Sequence, residues 1–131
     1  MLAKFTIDGQ GFSLPCSIER EATIKSSDVS GYLMDDNYLN DAEATYLTYS
    51  VKVAIPITQQ AQEEYSTLYE ILTAPTPEHY FTFPYNQTTI AFKGRIESVS
   101  DSFFRKTNDV NIWRATSFDV VMNEPIKVAG Q

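Results

Sequence analysis

One hundred and thirty-one residues, 43% apolar and 21% charged, suffice for one hydrophobic core and are too few for two comfortable domains. Seventeen acidic side chains against ten Lys and Arg leave a net charge of -7, which opposes sequence-independent nucleic-acid binding. The apolar runs are too short to span a bilayer, Met1-Leu2-Ala3-Lys4-Phe5 is expected to carry no signal peptide, and the single Cys16 can close neither an internal disulfide nor a thiolate zinc site.

Asp8-Gly9 stands between Lys4-Phe5-Thr6-Ile7 and Gly11-Phe12-Ser13-Leu14 and predicts a tight β-hairpin. From Cys16 to Lys25 the even positions Cys16, Ile18, Ala22 and Ile24 are apolar and the odd ones polar, the alternation of a half-buried strand. Arg20 interrupts the inward set and predicts a bulge, an edge position or a paired charge. Leu47, Tyr49, Val51, Val53 and Ile55 define another strand face, which Pro56 ends. The period then changes: Ala61, Tyr65, Leu68, Tyr69 and Leu72 draw one helical stripe, with Thr58 as N-cap and Pro75 and Pro77 beyond the end, giving a helix over about 59–73. His79, Phe81, Phe83 and Tyr85 alternate, Asn86-Gln87 forms a turn, and Ile90, Phe92, Gly94 and Ile96 lead back as a second hairpin. Ser100 to Asn111 reads as a polar connection, Phe118, Val120 and Met122 as a last strand, and 126–131 as a tail. The expected fold is mainly β (α+β): residues 1–125 form one antiparallel sandwich or open barrel of about seven strands, with one helix packed on it.

Residues 26–44 are too long for an ordinary connection and predict a projecting hairpin. Tyr32, Leu33, Met34, Tyr38 and Leu39 flank the acidic tip Asp35-Asp36-Asn37. Burying five such side chains contributes about 7 to 15 kcal/mol, against roughly 4 to 15 kcal/mol for association, so sheet edges are expected to assist such an arm. The alternative is an arm folded over its own core. Charge is also uneven, since residues 31–80 carry one Lys and eight acids, whereas 81–131 carry six basic and five acidic side chains.

Chemistry is sparsely signalled. Phosphate-binding, nucleophile-elbow and zinc-peptidase motifs are absent, and no catalytic residue, metal site or cofactor is predicted. His79 reads as a packed strand histidine and Cys16 as an inert thiol. Asp28, Asp35, Asp36, Asp41 and Glu43 lack EF-hand spacing and read as a solvated loop. Glu97 and Asp101 read as surface charges, with a glycosidase pair as the remote alternative. Arg105-Lys106 is too short for a nucleic-acid patch but suits the acidic middle of a neighbouring copy. Trp113 lies either at a partner surface or in a register break beneath the 100–111 connection.

Taken in order, Ser30-Gly-Tyr-Leu-Met-Asp-Asp-Asn-Tyr-Leu-Asn-Asp41, the helix around Leu68-Tyr69-Glu70, Phe83-Pro-Tyr-Asn-Gln-Thr-Thr-Ile-Ala-Phe92 with Gly94-Arg95, and Trp113 leading to Phe118 and Asn123-Glu124-Pro125 resemble small structural proteins of bacteriophage and prophage tails. The resemblance covers nearly the whole chain. It implies a non-enzymatic β-rich subunit, assembled in the bacterial host cytoplasm into rings of a tail tube, terminator or baseplate. Its implied partners are copies of itself and other tail proteins, without nucleic acid or membrane insertion. Expected interface residues are Tyr32, Leu33, Met34, Tyr38, Leu39, Trp113, Arg105 and Lys106. The rival reading is a monomeric carbohydrate- or protein-binding module using Trp113, Tyr85 and Tyr32.

Overall fold

The computed structural model describes residues 4–26 and 42–126. Its elements are β1 (Phe5–Ile7), β2 (Gln10–Phe12), β3 (Cys16–Ser26), β4 (Ala42–Ala54), α1 (Gln59–Leu72), β5 (His79–Tyr85), β6 (Thr88–Thr107) and β7 (Val110–Met122). Every strand pairing is antiparallel, in the order β2-β1-β5-β6-β7-β4-β3. Asp8 and Gly9 both take positive φ, 52° and 86°, as the turn between β1 and β2 requires.

The outermost strands, β2 and β3, are joined by Ser13, Leu14 and Pro15 alone. So short a link spans at most about 14 Å, which forces the open sheet to curl until its two edges approach. Contacts between strands that are not neighbours follow from this curl. Tyr49 of β4 stacks on Phe83 of β5 at 4.8 Å between ring centroids and donates its hydroxyl hydrogen bond to the Pro84 carbonyl at 3.0 Å. Phe5 of β1 meets Phe118 of β7 at 6.0 Å. Phe12, Val51, Val53, Phe81, Phe92 and Val120 fill the concave side.

Helix α1 carries the chain from β4 to β5 and buries Ala61, Tyr65, Leu68 and Leu72. The Thr58 hydroxyl accepts the Ala61 amide at 3.1 Å, so the expected cap is present. Tyr69, expected in the buried stripe, is 41% exposed, because it lies about 70° round the helix from the stripe's centre.

Several strand boundaries differ from expectation. The polar stretch 100–111 is no loop: β6 continues to Thr107, turns at Asn108-Asp109 and returns as β7 from Val110. Ala22 and Ile24 of β3 are exposed, Ile24 at 73%, because this half of the strand runs past the core and pairs with β4 alone. Arg20 follows the edge-strand alternative: it hydrogen-bonds the Asn86 side chain and lies 5.3 Å from the Tyr85 ring centroid. Ile126 donates its amide to the Thr45 carbonyl at 2.8 Å and packs on the core rather than starting a tail.

Candidate functional site

Beyond Gly94, its last partner for β5, strand β6 is paired only with β7. Strand β7 in turn loses β4 at Ala115, opposite Ala54. The hairpin from Phe103 to Arg114 therefore stands outside the shared sheet, with α1 along one side. Its two turn residues, Asn108 and Asp109, have φ of 51° and 64°, and Asn and Asp tolerate this left-handed backbone best among non-glycine residues.

Two register shifts shape its surface. Phe103 faces Trp113 and Arg105 faces Ile112, leaving Phe104 as an extra residue on β6 and Arg114 as an extra residue on β7. The displaced side chains meet: the guanidinium carbon of Arg114 lies 4.6 Å from the Phe104 ring centroid, and that of Arg105 lies 4.9 Å from it. Phe103 stands edge-on to Trp113 at 5.3 Å. Phe103 and Val110 remain 51% and 56% exposed. Arg105, Lys106 and Arg114 are exposed beside them, so the hairpin joins open apolar groups to a basic cluster.

Helix α1 holds this hairpin by side chains. The Trp113 amide donates to Gln62 Oε1 at 2.9 Å, and Gln62 Nε2 donates to the Trp113 carbonyl at 2.9 Å. Pro56, which would otherwise sit opposite Trp113, has no amide hydrogen and ends β4, and the Gln62 carboxamide takes up the ladder bonds left open. Tyr65 donates to Asp101 of β6, and burial first, then the carboxylate, pushes the Tyr65 phenol pKa well above the usual tyrosine range. A groove of about 570 Å³ between helix and hairpin is lined by Ile57, Gln62, Val110 and Ile112.

The expected interface residues thus divide. Trp113, Arg105 and Lys106 share the hairpin, with Trp113 half-buried at a register break between Phe103 and Tyr65. Tyr32, Leu33, Met34, Tyr38 and Leu39 lie outside the described residues, as do Asp28, Asp35, Asp36 and Asp41. Phe103, Phe104, Val110, Arg114 and Gln62 were absent from the sequence-based set. The Asn108-Asp109 pair between β-favouring residues was the signal for the hairpin that carries four of them.

Elsewhere, buried His79 places Nδ1 2.6 Å from Asp8 Oδ2, while Nε2 is buried without a hydrogen-bond partner among the described residues. Burial raises the Asp8 pKa, but hydrogen bonds from the Tyr80 amide and His79 outweigh it and hold the carboxyl below its ordinary value. Burial raises the Cys16 thiol pKa. Glu97 pairs with Arg95 at 2.7 Å, and Asp101 accepts from Tyr65, so each of these carboxylates has a local partner. Among the described residues, no cluster of three or more His, Cys, Asp or Glu is placed to hold a metal, and no helix is long and apolar enough to cross a membrane. No known family model matches the chain, and no curated protein matches it.

Proposed function

We propose that this chain is a non-enzymatic structural subunit of a bacteriophage or prophage tail, assembling with copies of itself into rings and docking on other tail proteins. The observation that carries the reading is the excess of strand over core. Strand β6 runs for 20 residues, where strands are usually about 5–6, and its outer part with that of β7 leaves the shared sheet bearing exposed Phe103 and Val110. At one edge of the sheet, β3 runs for 11 residues paired on one side only among the described residues, a template for strand addition by a neighbour. The exposed apolar groups of the hairpin and the open β3 edge suit a building block. The tail itself comes from the resemblance in segment order, which leaves tube, terminator and baseplate as three places for one kind of subunit.

The carbohydrate-module alternative needs free aromatic platforms. Of the three aromatics that reading uses, Trp113 is engaged by Phe103 and Tyr65 and Tyr85 by Arg20, which favours the structural reading, and Tyr32 lies outside the described residues. Sedimentation velocity from low to high micromolar concentration, with negative-stain microscopy of the heaviest species, tests it. Ring-shaped oligomers are expected, together with silence on a glycan array. A strict monomer that binds glycans in a concentration-dependent way overturns the proposal.

A further inference from the structure

We propose that residues 27–41 of one copy wrap the exposed tip of the β6–β7 hairpin of the next, as the head-to-tail contact of the assembly. This rests on the self-assembly reading above and names its interface.

The hairpin has two open faces: Val110 shares one with Arg105, and Phe103 lies on Trp113's side, with Lys106 on the face opposite Arg105 and Arg114 exposed at the bulge. The complementary composition occurs once in the chain. Residues 27–41 contain Asp28, Asp35, Asp36 and Asp41, no Lys or Arg, and the large apolar side chains of Tyr32, Leu33, Met34, Tyr38 and Leu39. Acid meets base, and apolar groups on both sides supply the area that charge alone does not.

Topology assigns the two parts to different molecules. Segment 27–41 leaves the sheet at Ser26 and returns at Ala42, which are paired neighbours at one end of the β3–β4 ladder. The β4 and β7 registers put the β6–β7 turn at the other end, past Ala54 and Ala115. The two sites are separated by about 55 Å of strand at roughly 3.3 Å per residue. A segment of this length, tethered at both ends, extends at most about 25 Å from its base. Its own hairpin is out of reach, and a neighbour's is not. Because the two parts differ and are attached at opposite poles, the contact is heterologous and repeats from copy to copy, closing into a ring or continuing as a filament.

Charge exchange tests this contact. One variant carries Asp35→Lys with Asp36→Lys, and the other carries Arg105→Glu with Lys106→Glu. Each alone sets like charge against like, and its self-association is expected to weaken tenfold or more in sedimentation equilibrium at low salt. An equimolar mixture restores opposite charges at every contact and is expected to recover assembly, with the two variants alternating. Circular dichroism checks that each variant keeps the β fold. The milder pairs Asp35→Asn with Asp36→Asn, and Arg105→Gln with Lys106→Gln, are expected to weaken association to an intermediate degree. Wild-type protein that assembles while folded variants assemble equally well assigns the hairpin to another occupant and overturns the contact. So does a mixture of folded variants that stays dissociated. Wild-type protein that never self-associates overturns the assembly reading itself, and the contact with it.

Discussion

Gln62 grips the main chain of Trp113 at both its amide and its carbonyl, each at 2.9 Å, so a helix side chain replaces one rung of a β-ladder. The grip falls where Pro56 has ended β4 and where β6 and β7 shift register, beside the Ile55 amide's bond to the Arg114 carbonyl and the Tyr65 ring against Trp113. It makes the hairpin's orientation depend on α1.

Gln62→Ala removes both bonds and a third, from Nε2 to the Pro56 carbonyl at 3.1 Å, and a destabilisation of about 1–3 kcal/mol in urea denaturation is expected. Amide exchange should accelerate most at Trp113 and along the hairpin, while the β1–β2 and β5 amides keep their protection. Uniform acceleration across the sheet would show that the grip supports the whole fold rather than the hairpin.

Gly94 is a steric requirement. A Cβ there would lie 2.6 Å from the Val121 carbonyl oxygen and 3.1 Å from the Phe92 ring. Gly94→Ala is expected to cost about 1–3 kcal/mol or more, because backbone of the paired strand has to move. Gly9→Ala meets no atom within 4 Å and is strained only by φ of +86°, for an expected cost of about 1 kcal/mol. Thermal melts of the two variants should rank accordingly.

Asp8 ties the first turn to β5 through the Tyr80 amide and His79. Its folded pKa lies below the ordinary 3.8, so the charged form is bound more tightly in the folded state. Its stabilising effect is complete above the unfolded value and is lost as pH falls through the folded one. Asp8→Asn should therefore be less stable than wild type at neutral pH, with the difference closing below about pH 4. A constant difference across that range would show that the carboxylate charge is not what the turn uses.

Tyr65 is buried against Asp101 with its phenol pKa raised, so it should stay protonated while exposed tyrosines ionise. Ultraviolet titration of Tyr65→Phe is expected to overlay wild type up to the onset of alkaline unfolding. Loss of one tyrosinate step below that point would contradict the assignment.

Phe103→Ser together with Val110→Ser should alter monomer stability by about 1 kcal/mol or less, since both side chains are half in solvent. Self-association should fall at least tenfold. A change in melting temperature without a change in assembly would return these residues to the fold.

Periodicity alone located the strand faces of Tyr49, Val51 and Val53 and of Phe81 and Phe83, the helix with its Thr58 cap, and the Asp8-Gly9 turn, because each depends on residues within a few positions of one another. The outer hairpin escaped that reading because its residues alternate poorly: with β4 and β5 gone from its flanks it has little buried face to impose a period of two, and two bulges break what remains. Tyr69 and Ile24 escaped for a related reason, since an apolar side chain states its preference but not whether a neighbour arrives to cover it. Order along the sheet, the curl forced by the Ser13–Pro15 link, the Gln62 grip on Trp113 and the meeting of Phe104 with Arg114 all join residues far apart in the chain. Outside that hairpin, local sequence determined which of the described segments become strands or helix. Only the tertiary structure decided which of them meet, because that choice rests on competition among packings of the whole chain.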